Sequence, residues 1–144
     1  KYEDALTTYD TVLKKGAPKG FEEVAQLGRA YTLEALNNTD AAMKAYSDFI
    51  AQYGSHFLEP QAKIGVARVL ALQGKKDDAK KALENLKAEK TGDAAWEMTI
   101  AQVESLVTRY QPRATRSLFD LATDTKAPLA PAAIKTPTNT TPTK

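Results

Sequence analysis

The side chains able to do acid–base, nucleophilic or metal chemistry are few in this sequence, and none of them joins a motif. The only histidine, His56, sits in the segment YGSHFLEP. A catalytic triad needs a base beside its nucleophile, and a two-histidine metal site needs a second imidazole. The sequence offers neither, and His56 reads as a solvent-facing loop residue. Ser55, Ser105 and Ser117 lack the G-x-S-x-G setting that presents a nucleophilic serine on a sharp turn. Gly74-Lys75 lacks the upstream glycine of a phosphate-cradling loop. Asp77 and Asp78, just beyond it, suit the positive end of a helix dipole. There are no cysteines, so disulfides, thiolate–zinc sites and thiol catalysis are excluded. The expectation is a chain with no catalytic residue, no metal site and no cofactor. Asn37-Asn38-Thr39 and Asn139-Thr140-Thr141 fit the N-glycosylation pattern, which also arises often by chance.

What remains is the scaffold. The 144 residues are 42% hydrophobic and 26% charged, a composition that supports one domain with a real core. A formal charge of +2 gives no basic field for nucleic acid, so no nucleic-acid partner is expected. No apolar run reaches the roughly 18–20 residues that span a bilayer. The chain begins at Lys1, without an initiator methionine or a signal peptide. Membrane contact is therefore expected only through an anchor upstream of residue 1.

A repeat of 37 residues runs through the chain. It aligns Ala5 with Ala42 and Ala79, Tyr9 with Tyr46 and Leu83, and Val12 with Phe49 and Leu86. Between these lies a second aligned set, in which Ala25 matches Ala62, Gly28 matches Gly65 and Leu33 matches Leu70. Each period thus holds two helical patterns, A then B. In FEEVAQLGRAYTLEAL, residues Phe21, Val24, Leu27, Gly28, Tyr31 and Ala35 fall at helical spacing. Glycine costs a helix about 1 kcal/mol relative to alanine, so Gly28 and Gly65 imply close approach of a neighbouring helix. Thr39 or Asp40 can cap the next helix, and Asn37-Asn38 and Gly74 mark the A-to-B turns. A third A helix is expected over Asp93–Tyr110, with Trp96 as core filler and Val107 at the repeat's apolar position. Pro112 ends it. A shortened B helix in RATRSLFDLA then caps the stack.

The order LGRAY (Leu27–Tyr31) followed by AMKAYSDF resembles the tetratricopeptide repeat, with Arg68 standing where the preceding repeat has Tyr31. The resemblance implies an all-α solenoid of antiparallel helix hairpins, about six helices in all. Its domain spans residues 1–122: a lone B helix (1–16), repeats over 21–53 and 58–90, and a shortened hairpin over 93–122. Residues 123–144, rich in Pro, Thr and Ala, form an extended tail. The stretch Ala51–Leu83 is also similar to repeat modules of bacterial envelope proteins. Among these is the membrane-anchored periplasmic family related to the ancillary subunit of the Sec translocon. That likeness implies a periplasmic or extracytoplasmic location.

In such stacks the A helices line the concave surface. The resemblance therefore places Gln26, Arg29, Thr32 and Leu33, with neighbours Glu22 and Ala25, on a partner-binding face. Lys63, Val66, Val69 and Leu70 are their counterparts in the next repeat. This mildly apolar mixture lacks the Lys/Asn/Arg set that clamps a terminal carboxylate, so a protein or peptide segment is the expected ligand. A second surface comes from register. Lys1–Gly16 is a B helix with no A helix before it, and Tyr2, Leu6, Tyr9 and Leu13 make its apolar face wider than one neighbour covers. That face is expected to take a missing upstream helix, a second copy of the chain or another protein. Two functions follow: an interaction scaffold, or a structural subunit of a larger assembly that uses the first helix and the tail as contacts. An enzyme is not expected.

Overall fold

The computed structural model describes residues 1–18 and 20–111. Within that span the regular elements are six helices: α1 (Tyr2–Lys15), α2 (Glu22–Ala35), α3 (Thr39–Tyr53), α4 (Glu59–Leu72), α5 (Lys76–Glu89) and α6 (Ala94–Arg109). They form the expected all-α solenoid, with α2, α4 and α6 as A helices and α1, α3 and α5 as B helices. The shortened B helix expected after Pro112 and the tail over 123–144 lie outside the described residues.

The turns repeat as faithfully as the helices. Asn37 and Gly74 hold equivalent positions and are both left-handed, with φ of 57° and 80°. In each turn the following residue's N–H reaches back to the helix, from Asn38 to the Leu33 carbonyl at 3.0 Å and from Lys75 to the Leu70 carbonyl at 2.9 Å. This double closure satisfies carbonyls that the helix end would otherwise leave open, and it needs a residue tolerant of positive φ. One capping expectation is corrected. Neither Thr39 nor Asp40 caps α3; Asn38 does, its side chain accepting from the Ala41 N–H at 3.4 Å. Asp93 does the same for α6, accepting from Ala95 and Trp96.

Two buried clusters make the core. One joins Leu27, Ala30 and Leu33 of α2 to Ala42, Tyr46 and Phe49 of α3 and to Ala62 and Val69 of α4. The other joins the opposite side of α4 (Ile64, Ala67, Ala71) to α5 and α6, with Trp96 packed against it. An A helix between two B helices buries two flanks, which is why α4 carries apolar or small residues around most of its circumference. The expected glycine contacts are present. A Cβ built at Gly28 would fall 2.5 Å from the Tyr9 ring, and one at Gly65 would lie 2.5 Å from Tyr46 Cε1. Each B-helix tyrosine is thus a knob seated on the glycine of the following A helix. Phe21 and Val24 depart from the expected pattern: they are 65% and 52% exposed, because only α1 stands in front of α2.

Candidate partner-binding surfaces

The two layers differ in how tightly their helices approach. Among the described residues α2 touches α4 and α4 touches α6, whereas α1, α3 and α5 do not meet one another. The A layer is therefore the inner side of the curve.

On that inner side α2, α4 and α6 enclose a cleft of about 130 Å³, lined by Glu34, Arg68, Ala71, Leu72, Leu106, Val107 and Tyr110. Its polar edge is a closed network. Arg68 grips Glu34 bidentately, Nε to Oε1 and Nη2 to Oε2, both at 2.7 Å. The Tyr46 hydroxyl donates to Glu34 Oε2 at 2.6 Å. The guanidinium carbon also lies 5.2 Å from the centroid of the Tyr31 ring, which meets Tyr46 edge-on at 5.7 Å. Burial would lower the Arg68 pKa, but its hydrogen bonds to Glu34 and the charge of that carboxylate outweigh this and raise it. Burial raises the Tyr46 phenol, and the hydrogen bond to the Glu34 carboxylate adds to the shift. The Arg68 guanidinium thus stays charged and the Tyr46 phenol stays protonated at neutral pH. Arg68 Nη1 makes no hydrogen bond among the described residues and remains a donor at the rim.

The residues expected to line the binding face are elsewhere. Thr32, Leu33 and Val69 are buried, at 6%, 4% and 0% exposure, and offer nothing to a partner in this structure. Leu70 packs half-buried against the α4–α6 cluster. Gln26 and Arg29 face outward between two B helices, in a recess they share with Asp10, Leu13, Lys14, Ala45 and Asp48. Arg29 pairs with Asp10 at 2.6 Å, and Gln26 reaches Tyr53 at 3.3 Å. Lys63 and Val66 occupy the equivalent recess one repeat on, beside Ile50, Ala82 and Glu89. Lys63 bridges Glu59 at 2.7 Å and Glu89 at 2.5 Å. Burial opposes its charge, but hydrogen bonds to those two carboxylates prevail and raise its pKa. The expected set therefore splits between core and outer layer, because the helix face given by register is the one toward the B helices. On α1, Leu6 packs partly against the α2–α4 cluster, Tyr9 and Leu13 are half-buried, and Tyr2 is 58% exposed.

His56 is likewise less solvent-facing than expected. It is half-buried, its Nδ1 accepts from the Leu58 N–H at 3.3 Å, and its ring stacks on Phe57 at 4.4 Å.

Sequence reasoning missed Glu34, Leu72, Leu106 and Tyr110. The one signal was Arg68, a charged residue where the aligned position of the preceding repeat is aromatic.

A tetratricopeptide repeat family model matches residues 24–56, which cover most of α2, all of α3 and the turn after it. No curated protein and no solved structure matches the chain. The six helices are a tetratricopeptide-like α-solenoid, a fold whose repeats generally mediate protein–protein interactions.

Proposed function

We propose that this chain is a protein-interaction scaffold that binds a partner segment in the A-layer cleft between α2, α4 and α6. The observation that carries the reading is the make-up of that cleft. Leu72, Leu106 and Val107 form apolar walls, and Arg68 holds an uncommitted N–H donor beside them. At about 130 Å³ it is far smaller than the roughly 300–1,000 Å³ of small-molecule sites. A leucine-sized side chain fits such a volume, with a backbone carbonyl of the same segment accepting from Arg68. The expected ligand is thus an apolar anchor on a peptide rather than a terminal carboxylate. A random peptide library selected against the intact chain tests this. Enriched sequences should share one large aliphatic or aromatic position, and Leu106→Glu or Leu72→Glu should weaken binding at least about tenfold, or about 1.4 kcal/mol. Gln26→Glu, in the outer recess, should leave it unchanged. Selected peptides that bind Leu106→Glu as well as the native chain would remove the cleft from consideration.

A bacterial envelope location belongs to the same proposal, supported by the likeness of Ala51–Leu83 to envelope repeat modules. Fractionation of the source cells tests it. The alternative role, a structural subunit, is favoured by a different observation, the apolar side chains uncovered on the first two helices.

A further inference from the structure

Stacking alone does not call for the Glu34–Arg68 clasp. Its side chains are only 15% and 28% exposed, and apolar residues of like volume often hold two helices at least as well as a largely buried ion pair does. The next joint of the A layer manages without one. There α4 meets α6 with Ala71 and Ser105 at the equivalent register positions, and no ion pair joins these two helices among the described residues. What the clasp does is pin one charge and offset another. The Glu34 carboxylate accepts from Arg68 Nε, from Arg68 Nη2 and from the hydroxyl of Tyr46, and its departure would strand that fully buried tyrosine. The Arg68 guanidinium also lies over the Tyr31 ring, 5.2 Å from its centroid. Glu34 and Arg68 are the only charged side chains lining the cleft among the described residues. Its wall therefore carries a donor, Arg68 Nη1, but no net charge.

We infer that, on the peptide-binding reading above, which this presupposes, Glu34 is the specificity-determining residue of the cleft. By occupying and neutralising Arg68 it restricts the ligand to an uncharged acceptor, and so selects an internal segment of a partner chain over a C-terminus or an acidic stretch. A carbonyl arriving at Nη1 gives up little hydration and gains a charge-assisted hydrogen bond. A carboxylate there would give up far more hydration, and Glu34 would offset most of the attraction that Arg68 exerts on it. Glutamine at position 34 would keep the shape of the wall and an oxygen for Arg68, but the cleft would then hold an unopposed positive charge. Its preference would pass to the carboxylate.

Two forms of one library-selected peptide test it, cut immediately after the apolar anchor and ended either by an amide or by a free carboxylate. Titration calorimetry on the intact native chain should find the amide form bound at least about tenfold more tightly. Glu34→Gln, checked for native helicity by circular dichroism, should reverse that order, and added salt should weaken chiefly its carboxylate binding. A merely structural Glu34 would instead weaken both forms alike and leave their ratio unchanged. Should Glu34→Gln fail to fold, the native chain alone decides, on internal peptides carrying asparagine or aspartate next to the anchor. The asparagine form should bind at least about tenfold more tightly. A native chain that takes the charged form as well as the neutral one, while losing both in Leu106→Glu, overturns the inference and leaves the cleft reading standing. A preference for the amide that Glu34→Gln retains does the same. Peptides indifferent to Leu106→Glu remove the cleft reading and the role of Glu34 with it.

Discussion

Gly65→Ala should destabilise the domain although alanine is the better helix former. A Cβ at position 65 falls 2.5 and 2.7 Å from Cε1 and Cε2 of Tyr46, inside any normal contact distance. The ring cannot swing clear. Tyr46 is fully buried, and its hydroxyl is tied to Glu34 at 2.6 Å. Overpacking of this kind costs about 1–3 kcal/mol. Pulling the hydroxyl off a carboxylate costs about 1.5–3 kcal/mol. Against these stands the helix-propensity gain of about 1 kcal/mol. The expected net loss is about 1.5–5 kcal/mol, read as a lowered urea midpoint at unchanged slope. Gly28→Ala is the control. It presses the same kind of knob, Tyr9, but that ring is half-exposed and belongs to the end helix α1, so it can move aside. Its net effect should stay within about 1 kcal/mol. In a Tyr46→Leu background, which copies Leu83 of the next B helix, the penalty of Gly65→Ala should largely vanish. Equal midpoints for Gly65→Ala and the native chain, or equal losses for the two glycine variants, would refute the knob-on-glycine argument.

Two further outcomes are expected. Because burial, and then the bond to Glu34, raise the Tyr46 phenol above its ordinary value, the folded chain keeps that proton longer than the unfolded one. The resulting stability is full below about pH 10 and falls as pH rises beyond it, by up to about 1.4 kcal/mol per unit. Tyr53 and Lys63 are raised too and act in the same direction. Alkaline urea titrations should therefore show a shallower decline in Tyr46→Phe than in the native chain, and parallel declines would contradict the assignment. Asp93→Ala removes the side chain that accepts from Ala95 and Trp96 at 3.2 and 3.3 Å, and should cost about 1 kcal/mol of thermal or chemical stability.

The repeat was legible because a solenoid makes the same contacts at every step. Ala42 and Ala79 are small for one reason, and the columns of Tyr46 with Gly65 and Asn37 with Gly74 state their geometry in residue type. Burial around α1 was legible only in part: the sequence points to an uncovered face on α1 itself, but not to its extension onto α2. Phe21 and Val24 carry the pattern of covered residues, and periodicity cannot say whether the covering helix is there. Sidedness was lost in a related way. Spacing put Gln26, Arg29, Thr32 and Leu33 on one face, but which neighbour meets that face depends on how successive hairpins rotate. The Glu34–Arg68 clasp escaped because its partners stand 34 residues apart, three short of the period, so aligned columns never set them side by side.

The tyrosine-on-glycine contact occurs twice and then stops. Where register calls for a third, the chain has Leu83 and Gln102, and Gln102 faces solvent. Among the described residues the α1–α2 and α3–α4 joints are latched and the α5–α6 joint is not. The unlatched joint carries α6, one wall of the A-layer cleft, while Glu34 and Arg68 tie α2 to α4 on the other side of it.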